Sequence, residues 1–110
     1  MSAVDVVLNS TYFIYNNETY VQKCGVAMGS PVSATIANLV MEDLEDEVLN
    51  LNNLNIDFYR RFVDDIIIAC DPHSIDNIVT ALSGYNNKIK FTIEKEQNNC
   101  LNFLDLNIYR

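Results

Sequence analysis

Apolar and polar positions alternate between two periods along the chain. Val4, Val7 and Leu8 recur at helical spacing and predict a short helix over residues 1–9. Residues 11–15 and 19–23 alternate instead, and Asn16-Asn17-Glu18 between them predicts a hairpin. From residue 31 the helical period returns, with Val32, Ile36, Leu39, Val40, Leu44 and Val48 along one face of a helix reaching about residue 49. Ser30 suits its N-cap and Pro31 its first turn, because proline has no N–H to lose there. Glu42, Asp43, Glu45, Asp46 and Glu47 crowd the second half, which reads as a solvated face opposing the helix dipole, with a fraying end.

Further along, the β-branched run Ile66-Ile67-Ile68 and the segment Tyr59-Arg60-Arg61-Phe62-Val63 flank Asp64-Asp65. Aspartate tolerates the left-handed backbone of a tight turn, so this pair is expected to be the turn of a central hairpin. Arg60 and Arg61 then point to opposite sides of their strand. Asp71-Pro72 opens a helix carrying Ile75, Ile78, Val79 and Leu82 and closing at Gly84. Ile89, Phe91 and Ile93 alternate with polar residues and predict a half-buried strand over 88–94, turned back by Asn98-Asn99 into a second strand over 101–109. Asn-Asn pairs at 16–17, 52–53, 86–87 and 98–99 punctuate the patterned segments. Helices and strands without a strict βαβ rhythm imply an α+β fold, an antiparallel sheet with helices packed on one face.

Composition sharpens the picture. With 49% hydrophobic residues in 110 positions, the chain can build a core and forms one domain or part of one. Its net charge of −8, from 15 acidic and 7 basic residues, argues against strong binding of nucleic acid by this chain alone. Cys24, Cys70 and Cys100 have neither disulfide-framework nor zinc-finger spacing, and are expected to be buried free thiols. No signal peptide and no apolar run long enough for a bilayer is visible, so an intracellular place without membrane attachment is expected. The short first helix and the patterned end at Arg110 suggest a piece of a longer domain.

The chemistry-bearing residues lie in two places. Gly25 and Gly29 permit unusual backbone angles in the loop Gly25-Val26-Ala27-Met28-Gly29-Ser30-Pro31-Val32-Ser33, which opens the long helix. The paired carboxylates of Asp64 and Asp65 suit Mg²⁺, which is held through one or two acids plus substrate phosphates. His73 is expected at an exposed helix start, and Tyr12, Phe13, Tyr15 and Tyr20 are expected to pack rather than stack on bases.

That glycine-proline loop followed by Arg61-Phe62-Val63-Asp64-Asp65 resembles the palm of reverse transcriptases. The lead-in from Tyr12-Phe13 to Gly25, and Ile89-Lys90-Phe91-Thr92-Ile93-Glu94-Lys95-Glu96, look most like Penelope-like retroelements. The resemblance implies a partial domain over 1–110 with motifs B, C and D, without motif A, fingers or thumb. By it, Asp64 would ligate catalytic Mg²⁺ or Mn²⁺, Asp65 would be a second, less direct carboxylate of the metal site, and Phe62 and Val63 of the same box would bind substrate. Gly29, Ser30 and Pro31 would lie against template and incoming nucleotide, and Lys95 near the triphosphate. RNA template, DNA primer and dNTP would be the partners of the full-length enzyme. Asp5 sits in a helix-like segment too near the first hairpin to be the motif A aspartate, so the chain alone is expected to be inactive. An unpaired strand edge beside Ile66-Ile67-Ile68 would favour self-association. The competing reading is a non-catalytic acidic interaction module or a retroelement remnant.

Overall fold

The computed structural model describes residues 2–51 and 53–110, divided into two compact units, Met1–Glu42 and Asp43–Arg110. The first unit opens with α1 (Ala3–Asn9). Ser2 caps it reciprocally: its hydroxyl accepts from the Asp5 N–H at 3.2 Å, and its own N–H donates to the Asp5 carboxylate at 2.9 Å. The stripe expected on this helix buries nothing in its unit, and Met1, the first residue of the expected span, lies outside the described residues.

β1 (Tyr12–Tyr15) and β2 (Glu18–Val21) pair antiparallel around Asn16-Asn17. Both asparagines hold positive φ, 51° and 61°, the conformation a two-residue turn of this twist demands. The expected packing of the aromatic residues is not found: every residue of both strands is exposed, and Phe13 stacks only on its neighbour Tyr20, with ring centroids 5.4 Å apart. α2 (Pro31–Leu51) starts where proline predicts, and the Ser30 carbonyl accepts its first helical hydrogen bond from Ala34. Despite its acidic end it runs beyond the expected residue 49.

α2 continues into the second unit, whose core is centred on Leu44 and Val48 of α2 with Ile78 and Leu82 of α3 (Ile75–Gly84). Leu39, on the same expected stripe, is 58% exposed, so the apolar face becomes core only in the helix's second half. β3 (Ile56–Phe62) and β4 (Asp65–Cys70) form the central hairpin, with Ile56, Ile68 and Cys70 packed against that core. The Asp71 carboxylate accepts from the His73 N–H at 2.8 Å and caps a 3₁₀ turn, Pro72–Ser74, that leads into α3. His73 is exposed, as expected.

Two strand expectations change. Residues 88–94 form no ladder: the Asn86 side chain and carbonyl accept from the N–H groups of Lys88 and Ile89, and the chain then runs on unpaired. The alternation survives in part as burial: Ile89 and Phe91 pack on the core while their polar neighbours stay exposed, but Ile93, expected to face inward with them, is 48% exposed. The stretch 101–109 is itself a hairpin, β5 (Cys100–Phe103) and β6 (Leu106–Tyr109), turning at Leu104-Asp105. Its two strands pair only with each other among the described residues, and 88–94 joins neither of them. Asn98 and Asn99, with φ of 52° and 58°, make the expected turn, bracketed by hydrogen bonds between Gln97 and Cys100. Asn53 also has positive φ, 45°, while Asn52 of that pair lies outside the described residues. The class is α+β, with its described strands in three separate antiparallel pairs rather than one sheet.

Candidate functional site

The acidic pair sits at the tip of the β3–β4 hairpin, one residue out of the expected register. Phe62 pairs with Asp65, so the turn residues are Val63 and Asp64, and Asp65 is the first residue of β4. Val63 carries the positive φ of the turn, 58°, an angle that crowds a β-branched side chain. Phe62 and Val63 are 59% and 64% exposed, and both aspartates are exposed beside them.

The hairpin has two chemically different faces. Phe58, Arg60 and Phe62 lie on the outer face, with the Arg60 guanidinium 5.1 Å from the centre of the Phe58 ring. Tyr59 and Arg61, paired with Ile68 and Ile66, turn to the other side and meet Glu45 of α2. The Tyr59 hydroxyl donates to Glu45 Oε1 at 2.8 Å. Arg61 donates from Nε to Oε1 at 2.5 Å and from Nη2 to Oε2 at 3.3 Å, while its Nη1 donates to the Val63 carbonyl at 3.0 Å. Burial raises the Glu45 pKa, but hydrogen bonds from Arg61 and Tyr59 and the guanidinium charge outweigh it, so the carboxyl lies below its usual range. Burial and the Glu45 carboxylate push the Tyr59 phenol far upward, so it stays a donor. Glu45, placed by pattern on a solvated face, is therefore a structural partner of the hairpin.

Neither the Asp64 nor the Asp65 side chain has a hydrogen bond or ion pair among the described residues, and no group of three metal-ligating side chains occurs among them. Two exposed carboxylates with free oxygens suit a hard divalent cation whose remaining ligands are water and phosphate oxygens. The residues present thus fit such an ion as part of a site.

The other expected site residues lie elsewhere. Gly29, Ser30 and Pro31 belong to the first unit, where Gly29 holds a φ of 89° with open space around a hypothetical Cβ; backbone angle, not crowding, calls for glycine. Lys95 is exposed in the unpaired stretch after Phe91 and has no ion pair among the described residues. It lines a largely apolar cavity of about 520 Å³ with Ile66, Ile68, Ile78, Phe91 and Tyr109, whereas Asp64 and Asp65 are outside that lining. Among the cysteines only the expected free state holds throughout: Cys24 is exposed, and Cys70 and Cys100 are partly buried. Burial, with Asp57 and Asp71 nearby, pushes the Cys70 thiol up. No described helix is long and apolar enough to cross a membrane.

The family model described as reverse transcriptase (RNA-dependent DNA polymerase) matches residues 2–102, and the chain belongs to that family. No curated protein and no solved structure matches the chain. The chemistry of that family is nucleotidyl transfer, and its partners in general are a nucleic-acid template and primer.

Proposed function

We propose that the chain is the palm portion of a reverse transcriptase of the Penelope-like group, with Asp64 and Asp65 as carboxylates of its divalent-metal site. The observation that carries this reading is the pair of exposed aspartates, their side chains without a partner among the described residues, on a hairpin anchored to α2, inside a family match over residues 2–102. The Penelope-like assignment is supported by the segments around Tyr12-Phe13 and from Ile89 to Glu96.

In nucleotidyl transfer the primer 3′-oxygen attacks the α-phosphorus of a dNTP, its proton passes to solvent water, and the bond to pyrophosphate breaks. Asp64 and Asp65 would hold a divalent cation, Mg²⁺ or Mn²⁺, which when bound would neutralise the negative charge that develops during the transfer. Lys95, exposed and without an ion pair among the described residues, neutralises the departing pyrophosphate. The Gly29-Ser30-Pro31 bend provides a surface for template and nucleotide. Before that bend the described strands, β1 and β2, carry no aspartate, so this chain by itself does not polymerise.

Mn²⁺ titration followed by electron paramagnetic resonance tests the metal role. Binding in the millimolar range or tighter, lost in Asp64→Ala, is expected, whereas equal binding by parent and variant rejects it. Primer extension by the purified chain, abolished in Asp64→Asn, would overturn the inactivity. The second reading, a non-catalytic acidic module, draws on the net charge of −8 and the lack of a third metal ligand among the described residues. A partner protein bound equally well by Asp64→Ala, without metal binding by the parent, would favour it.

A further inference from the structure

We infer that Arg61 is a positioning residue for the acidic turn: tied to Glu45 of α2, its guanidinium holds the Val63 carbonyl and so sets how Asp64 and Asp65 are presented. This inference rests on the proposed metal role of the two aspartates. It adds a residue pair, one of them on a helix, that the chemistry itself does not name.

The geometry uses the whole guanidinium. One edge, Nε and Nη2, grips both oxygens of Glu45, and the third nitrogen, Nη1, reaches the Val63 carbonyl at 3.0 Å. A lysine ammonium has the charge but not this planar fork, so it cannot reproduce both contacts with the same orientation. Tyr59 adds a hydrogen bond to Oε1 of the same carboxylate, which limits its rotation. The Arg61 and Glu45 side chains are only 11% and 19% exposed, so solvent screens this pair less than an open surface pair. A chain of fixed contacts therefore runs from a core-packed helix to the carbonyl of the one turn residue with positive φ.

The same arrangement keeps the aspartates free. Engaged by Glu45, the guanidinium charge is compensated, and neither Asp64 nor Asp65 is paired with it among the described residues. Ligand-orienting contacts of this kind commonly change metal affinity by about 10- to 100-fold when removed.

The test compares Arg61→Met, Arg61→Lys and Glu45→Gln in the 110-residue chain, with Mn²⁺ affinity and the metal-free NMR amide shifts of Asp64 and Asp65 as readouts. Arg61→Met is expected to weaken Mn²⁺ binding about tenfold and to move both amide signals while circular dichroism keeps the parent helix content. Arg61→Lys should stay near the methionine variant, since charge without the fork does not hold the turn. Recovery of parent affinity and shifts by lysine would overturn the inference, as would an affinity within about twofold of the parent and unmoved shifts in Arg61→Met. If Arg61→Met does not fold, Arg61→Lys and Glu45→Gln decide by the same readouts. Should the parent bind Mn²⁺ no better than Asp64→Ala, the metal reading fails on its own. The amide shifts then decide the positioning claim: moved signals sustain it and unmoved ones reject it.

Discussion

Val63 shows how a single residue carries the tension of the turn. A non-glycine residue in the left-handed region costs about 1–2 kcal/mol, and glycine there removes that cost. Against this stands the extra backbone entropy glycine loses on folding, about 0.5–1 kcal/mol. Because the Val63 side chain is largely exposed, little packing is lost. Val63→Gly is therefore expected to raise stability by up to about 1 kcal/mol, seen as a higher urea midpoint with unchanged slope. A lower midpoint would mean that the valine side chain contributes more than its exposure indicates. That a turn lies here was legible from two aspartates between the segment Tyr59–Val63 and the β-branched run Ile66-Ile67-Ile68, but its register was not. Aspartate suits either central position, and the hydrogen bond from Arg61 to the Val63 carbonyl belongs to the observed one. The Phe-aliphatic-Asp step recurs at Phe103-Leu104-Asp105, where Leu104 also turns at positive φ, 54°. Adjacent apolar residues at Phe103 and Leu104 break the alternation and were the available sign of that second hairpin.

Among the elements, α2 was the most readable and yet misread in part. Its start at Pro31 and the apolar spacing of Leu44 and Val48 followed from pattern, because the helical period is local. That Glu45 faces the hairpin was not legible, since a carboxylate takes its role from the guanidinium opposite, 16 residues away in sequence. This contact joins helix to hairpin and makes stability depend on pH. The Glu45 pKa is lowered on folding, so the unfolded chain binds more protons and stability rises with pH. The contribution is complete well above 4.5, its reference value, and is lost as pH falls through the lower folded-state value. Glu45→Gln should accordingly lose less stability than the parent on acidification below pH 4.5, measured by thermal unfolding across that range. Parallel pH profiles for the two proteins would show that the ion pair adds nothing to the fold.

At the scale of the molecule, β4 pairs only with β3 among the described residues, so its far edge carries unsatisfied ladder positions beside the apolar cavity. Such an edge is a template for a second chain. Concentration-dependent dimers or larger species are expected in size-exclusion chromatography with light scattering, and a monomer at high protein concentration would refute this. The charge of −8 opposes close approach of copies, so added salt should strengthen the association. Family membership was legible from two short motifs in order, whereas the separation of the strands into three pairs was not.

What the sequence alone determined was local: where helices start, where asparagine turns fall, which residues alternate, and that two acids share a hairpin tip. Tertiary structure alone decided which half of α2 became core and which acid met Arg61. The physical reason is the same in both cases. Turn and period preferences, and the three hairpin ladders, act between near neighbours, while burial and ion pairing depend on groups brought together from distant positions in the chain.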